Sequence, residues 1–428
     1  MNPSTHQALS ATGKRILCAT IGSLGDLHPC LALAVELKRR GHSVVVASTE
    51  YYRSHVESSG IGFHPIRPDW DPTDPRLIRD CEDLKHGFEA LYRNWLLPNL
   101  EDTYHDLLVA ASESDLMIAG ELNLAAPLVA EKLGLPWASA ILSPVSFLSA
   151  HDPSILVNAP WLYGARRAGR PVYRALLNMG RLATNHWWKP VRTLRHQQHL
   201  NPHADPIFRD KLSPHLVLAL FSHWLAEPQL DWPSQTVQAG FVYCDHPAPQ
   251  QSLDPALAAF LTANDPPIVF TQGSTAVHNP GDFYQVAAEA ANRVGRRALL
   301  IGVHPSTGAT SRLMAVPYAP YSQVFSHAAV NVHQGGSGTT GQALRAGRPQ
   351  LIVPYGWDQP DNAARVERLG AGLHIPRKAW SPETATAALE RLLREPQFSK
   401  RAVQIGAEVN SEPSLAIACD AIGSLLKR

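Results

Sequence analysis

No stretch of about 18 or more consecutive apolar residues occurs in the 428-residue chain, which excludes a membrane-spanning helix on length alone. The apolar run Ile16 to Ile21 is too short for the core of a secretion signal, and Met1 to Gly13 lacks a charged lead, so a cytoplasmic protein is expected. Any membrane contact is then peripheral. Cysteine is scarce: Cys18, Cys30, Cys81, Cys244 and Cys419 are odd in number and scattered, without a C-x-x-C pair, and read as reduced thiols. Charge of one sign is not in excess either. The 38 Lys and Arg stand against 37 Asp and Glu, which provides no field to attract nucleic acid. The histidines, 20 in all, include no H-E-x-x-H string, so zinc catalysis finds no support.

What is present is material for large cores, with 45% hydrophobic and 18% charged residues. The length suits two domains. Arg15 to Ile21 reads as a strand, Pro29 to Arg40 as a helix closed by Gly41, and Ser43 to Ser48 as a β-branched strand covered on both faces, which together make one β-α-β unit. Buried-strand patterns recur at Leu116 to Ala119, Trp137 to Ile141 and Leu216 to Phe221, then again at Pro267 to Thr271, Ala298 to Gly302, Ala329 to His333 and Gln350 to Val353. The expected fold class is therefore α/β, with two Rossmann-like, doubly wound parallel sheets facing a cleft. The expected bounds are 14–232 for the first domain, with a helical insertion at about 150–205, 233–250 for a linker, and 251–428 for the second domain, whose last helix packs back on the first.

Two glycine-bearing loops follow strands. In Gly22-Ser23-Leu24-Gly25-Asp26-Leu27-His28-Pro29, the glycines let backbone approach a ligand and Asp26 presents a carboxylate, although Asp26 equally suits a helix cap. A dinucleotide loop, with Glu50 as the ribose acid, fits poorly because the spacing is G-x-x-G. In His333-Gln334-Gly335-Gly336-Ser337-Gly338-Thr339, a glycine turn opens a helix whose unpaired amides and dipole suit a diphosphate; His333, Ser337 and Thr339 offer further donors. About twenty residues on, Asp358 and Gln359 can bind sugar hydroxyls, or the segment is a polar turn. Asp69-Trp-Asp71 is a D-x-D string in a proline-rich loop without an adjoining strand, so metal binding is not expected there.

Together these motifs, from Tyr318-Ala-Pro through His333-Gln-Gly-Gly to Asp358-Gln359, resemble the donor-binding signature of nucleotide-sugar glycosyltransferases of the GT-B type, the family of plant secondary-product, sterol and antibiotic glycosyltransferases. Asp231-Trp-Pro, Val269 to Thr275 and Gly281 to Tyr284 are similar to the bacterial rhamnosyltransferases of rhamnolipid synthesis. The resemblance implies an inverting enzyme that needs no metal or cofactor and moves a hexose from a UDP- or dTDP-sugar to a small lipophilic acceptor such as a hydroxy-fatty acid, sterol or natural product. Asp26 would be the general base; Gly22, Ser23, Gly25, Gly273, Ser274, Thr275 and His333, with the amides of Gly335, Gly336, Ser337, Gly338 and Thr339, would hold the donor's diphosphate side. Tyr318 and Ala319 would meet the base, and Asp358 and Gln359 the sugar. Plant members carry tryptophan where Tyr318 stands, and a ribose-binding glutamate where this chain has Gly341, a loss compatible with a deoxyribose donor.

The acceptor is expected on the first domain, near His28, Trp95, Phe147, Trp187 and Trp188, although core packing is the commoner fate of a single aromatic. The basic stretch Arg166 to Arg195 can rest on a lipid surface or form a solvated face. A non-catalytic binding protein of the same fold remains as an alternative. An NAD-dependent oxidoreductase would leave the His333 cluster unused.

Overall fold

The computed structural model describes residues 13–81, 83, 85–244, 253–263, 265–273, 280–303 and 310–428. Two parallel sheets organise it. The first contains β1 (Arg15–Ala19), β2 (Ser43–Ser48), β3 (Gly62–Pro65), β4 (Leu116–Gly120), β5 (Trp137–Ile141), β6 (Leu216–Ala219) and β7 (Thr236–Gln238), in the order β3-β2-β1-β4-β5-β6-β7. The second contains β8 (Ile268–Thr271), β9 (Ala298–Ile301), β10 (Leu313–Val316), β11 (Val330–His333), β12 (Gln350–Ile352) and β13 (Gly372–His374), in the order β10-β9-β8-β11-β12-β13. Central strands such as β5 and β8 are buried at every residue, which is why their sequences are mainly apolar, with only the small polar Ser139 and Thr271. In each sheet the order reverses beside the first strand, between β1 and β4 and between β8 and β11. A crevice opens at such a switch point.

Four strands lie outside the sequence expectation, β3, β7, β10 and β13, and all four are sheet edges. Their half-exposed residues have no reason to be uniformly apolar, and β3 carries both Gly62 and Pro65, which edges tolerate. β7 also corrects the linker, because Thr236 to Gln238 belongs to the first sheet and Phe241 and Val242 beyond it are buried. No linker begins at residue 233.

A second correction concerns the first helix. α1 (Leu24–Arg39) begins five residues before Pro29, which sits inside it rather than in the first turn. Ser23 caps the helix: its hydroxyl accepts from the Gly25 N–H at 3.1 Å, while Asp26, at the third helical position, accepts from the Ser23 N–H at 2.8 Å. The insertion is helical, with α2 (Arg170–Thr184) its longest element.

The second half is built around α3 (Ser337–Arg345) and α4 (Gln359–Arg368), and α5 (Ser414–Leu425) packs back on α1, β6 and β7 of the first. One apolar cluster joins the halves, Phe147, Phe221 and Trp232 meeting Leu344, Ile352 and Val366. Arg365, 2% exposed, lies in the same seam. Its guanidinium pairs with Asp361 on its own helix and with Asp152 of the first half, and donates to the Leu225 carbonyl at 2.9 Å and to Ser154 Oγ at 3.0 Å. A buried guanidinium is tolerable only with such full pairing.

Candidate active site

The turn from β1 into α1 is shaped so that one carboxylate stands at the crevice. Gly22 has φ +136°, and a Cβ there would lie 2.3 Å from Asp26 Oδ2, so only glycine fits. Tyr52 fixes the loop from behind by donating to the Gly22 carbonyl at 3.2 Å. Asp26 Oδ2 also accepts from Ser23 Oγ at 3.2 Å, and no other side chain among the described residues donates a hydrogen bond to the Asp26 carboxylate. Asp26 is thus both a capping group and a presented carboxylate. Burial pushes its acid up to about 6 against the Ser23 hydrogen bonds, and the negative charge of Glu121 adds to the rise.

Glu121, at the end of β4, was not singled out from the sequence. It lines a narrow pocket with Asp26, Thr20 and Leu142, and it accepts from Ser146 Oγ at 2.8 Å and pairs with Lys211 at 3.0 Å. Only its position at the carboxyl end of the strand beside the switch point could have marked it.

Opposite stands the glycine turn after β11. Gly336 is the N-cap of α3 and brings no capping side chain, so the first amides of the helix keep their positive end toward the crevice. Gly335, at φ +93°, would place a Cβ 2.7 Å from Ile352, and Gly273, at φ +71°, would place one 2.0 Å from Gln334 Nε2. Both glycines are therefore required by packing. Thr339 Oγ1 meets Gln334 Nε2 at 3.5 Å, and Gly338 has open space around it. Ser274 and Thr275 lie outside the described residues.

Two expected phosphate donors need correction. His333 is fully buried; its Nδ1 accepts from the Gly335 N–H at 3.0 Å and its Nε2 donates to Gln350 Oε1 at 2.9 Å, so no ring N–H reaches the crevice. Burial holds this imidazole neutral by lowering its acid to about 4. It sets the glycine turn from beneath. The Ser337 hydroxyl is likewise committed, donating to the Leu142 carbonyl of the first half. That bond brings the N-terminus of α3 against the wall of the Asp26 pocket.

Asp358 and Gln359 sit at the turn after β12. Asp358 Oδ2 accepts from Asn362 Nδ2 at 2.8 Å, and burial pushes its acid up to about 7, with the charges of Glu121 and Asp26 contributing. Asp358 is thus near enough to Asp26 and Glu121 for their charges to reach it. Gln359 spends its carbonyl on the Tyr355 and Gly356 amides at 2.7 and 3.1 Å, so only its Nε2 is left for a ligand. Trp357, before them, holds φ +57°, a strained value for a tryptophan, and packs on the apolar cluster of the first half. Neither Trp357 nor Asn362 was marked by the sequence.

Tyr318 is 74% exposed beside the buried Ala319, as a platform for a planar group would be. Among the acceptor candidates, Trp188 and Phe147 are corrected to core. Trp188 is 1% exposed against Tyr92, and Phe147 stacks on Trp232 at 4.1 Å. Trp95 and Trp187 are half-buried, as is His28, whose acid burial lowers to about 4, helped by His55. In the D-x-D string, Asp69 accepts from Thr49 beyond the end of β2, and Asp71 accepts from its neighbour Thr73.

Residues 16–150 match the glycosyltransferase family 28 N-terminal domain, and residues 308–422 match the erythromycin biosynthesis protein CIII-like C-terminal domain. The chain is 32% identical over 426 residues to O-mycaminosyltylonolide 6-deoxyallosyltransferase of Streptomyces fradiae, covering 95% of this chain and 96% of that one. It is 27% identical to a sterol 3-beta-glucosyltransferase of Neurospora crassa, over 95% of this chain but only 27% of the longer enzyme. Among solved structures, the spinosyn forosaminyltransferase SpnP superposes with a TM-score of 0.73 at 20% identity, over 97% of this chain and 100% of that one. The glycosyltransferase VinC, in complex with dTDP, gives 0.65 at 22% identity, over 96% and 98%. With two switch-point crevices meeting at one site and these relatives along its length, the chain belongs to the GT-B glycosyltransferases of the GT1 type.

Proposed function

We propose that the protein transfers a hexose, such as rhamnose or glucose, from a dTDP- or UDP-sugar to a hydroxyl of a small lipophilic acceptor, with inversion at the anomeric carbon. The observation that carries the reading is the meeting of Asp26, whose carboxylate takes no side-chain donor but Ser23 among the described residues, with the uncapped N-terminus of α3 across a single crevice. In the transfer, Asp26 takes the proton of the acceptor hydroxyl as the oxygen attacks the anomeric carbon. The bond to the nucleoside diphosphate breaks on the opposite side, and the leaving charge falls to the α3 amides. This reading routes no step through a metal ion.

Asp358 and the Nε2 of Gln359 hold the sugar, while Tyr318 and the Ala319 backbone meet the base. A deoxyribose donor is favoured by Gly341, where a Cβ would lie 2.7 Å from the Phe241 ring and leave no space for a ribose-binding acid. The dTDP bound in VinC points the same way. The acceptor wall is assigned to Trp95, Trp187 and His28.

The test incubates the protein with dTDP- and UDP-sugars against hydroxy-fatty acids, sterols and macrolides, with and without a chelator, and reads products by mass spectrometry. A glycosylated acceptor of inverted configuration, formed equally in the chelator, is expected. Binding of donor without product across the panel would favour a non-catalytic role.

A further inference from the structure

α2 carries apolar residues on its outer side as well as on the side that packs inward. Tyr173 and Leu177 face inward, whereas Val172, Ala175, Met179 and Leu182 form an outward row at spacings of three, four and three residues. Val172 is 44% exposed, Met179 63% and Leu182 75%, and Trp161, on the turn before the insertion's first short helix, is 68% exposed. Such a continuous apolar row in water is costly unless something covers it.

The charge around it indicates what does. Between Asp152 and Asp205 there is no Asp or Glu, while eight Arg or Lys lie between Arg166 and Arg195, in a chain whose net charge is only +1. The rest of the molecule is therefore net negative, and the positive charge is gathered beside the apolar row. Of these cations, Arg174, Arg181 and Arg195 reach acidic partners at Asp231, Asp205 and Glu131, whereas Arg167 and Arg170 are exposed and have no acidic partner among the described residues. A cavity of about 480 Å³, lined by Arg170, Arg174, His151 and Asn178, opens along the edge of the row at Pro171 and Ala175. An apolar strip flanked by guanidiniums, with a mainly apolar hollow edged by Arg170 and Arg174, matches acyl chains beneath anionic headgroups. A second copy of the chain would set like charges against each other.

We infer that α2 is a peripheral membrane-docking helix, which lays Val172, Met179 and Leu182 into an anionic phospholipid surface while Arg167 and Arg170 hold headgroup phosphates. This does not depend on the glycosyl-transfer reading, and the readout is binding rather than turnover. Purified protein is sedimented with vesicles of phosphatidylcholine alone, and with vesicles containing about one third phosphatidylglycerol. Pelleting with the anionic vesicles alone is expected, reversed by about 0.5 M salt, where screening is strong. The double variant Met179→Ser with Leu182→Ser should bind about tenfold more weakly or worse. Arg167→Ala and Arg170→Ala should each lose about fivefold. All four positions are exposed, and unchanged thermal melts will show the variants folded. Absence of pelleting, equal pelleting with neutral vesicles, or undiminished binding of the serine variant would overturn the inference, as would a concentration-dependent dimer that the serine variant dissolves.

Discussion

Glu121 and Asp26 leave the neighbouring strands β4 and β1 at the same end of the sheet and line one pocket, so the negative charge of one raises the acid strength threshold of the other. With Asp26 at about 6, kcat/KM should fall as pH drops through that value, because the base works only when deprotonated. Glu121→Gln removes a negative neighbour and leaves the Lys211 ammonium unpaired, and both changes favour the charged form of Asp26. The acidic limb of the pH–rate profile should therefore move to lower pH. A limb that stays in place would mean that Asp26 does not feel Glu121 or does not control the rate.

Asp26 also ties activity to stability, with a definite sign. Its acid lies near 6 in the folded chain against 3.8 ordinarily, so between these values the folded state holds the extra proton and stability declines as pH rises. At neutral pH the charged carboxylate is therefore a burden on the fold. Asp26→Asn should lose about 10²–10⁴ of kcat, the usual worth of a positioned base. Its amide oxygen can still accept from Ser23, so the melting temperature should rise at pH 7.5 and match the parent near pH 4. A variant that melts lower at neutral pH would contradict the burial argument.

His333 separates positioning from direct contact. Since its two nitrogens serve Gly335 and Gln350, Gln350→Leu should reproduce much of the effect of His333→Ala, raising KM for the donor about tenfold through a loosened turn. The double variant should be little worse than either single one, as expected for members of one hydrogen-bonded unit. Additive losses would place His333 on the phosphate itself.

The pattern of what could be read in advance has a physical basis. The central strands are largely enclosed on both faces and so read as mainly apolar runs, whereas β3, β7, β10 and β13 are edges, half in water, with no such constraint. Gly22, Gly273 and Gly335 were visible because a positive φ beside a close neighbour restricts the residue type to glycine. Glu121 was not, since one acid after a strand is common and its significance comes from the strand order. The positive φ of Trp357 leaves no trace in composition at all. His333 illustrates the opposite failure: residue type and position suggested a donor, but only the fold reveals that both nitrogens are spent.

Arg365 tests whether the two halves depend on each other. Its guanidinium is 2% exposed and joins Asp361 on α4 to Asp152, Ser154 and the Leu225 carbonyl across the seam, while Asp361 also accepts from the Ile155 N–H at 2.9 Å. Removing the cation leaves Asp361, itself 1% exposed, buried without its partner, a change that typically costs about 3–5 kcal/mol. Arg365→Met should therefore lower the melting temperature substantially, and, because α4 carries the turn with Asp358 and Gln359, it should weaken donor binding in the fraction that stays folded. Replacing both partners, Arg365→Met with Asp361→Leu, removes the orphaned charge and should recover much of the stability. It should not recover the donor affinity, since the polar seam that registers one half on the other is gone. Calorimetry of the three proteins, paired with nucleotide titration, distinguishes these effects. Full recovery of both quantities in the double variant would show that apolar packing of Phe147, Trp232 and Val366 is enough to align the crevice.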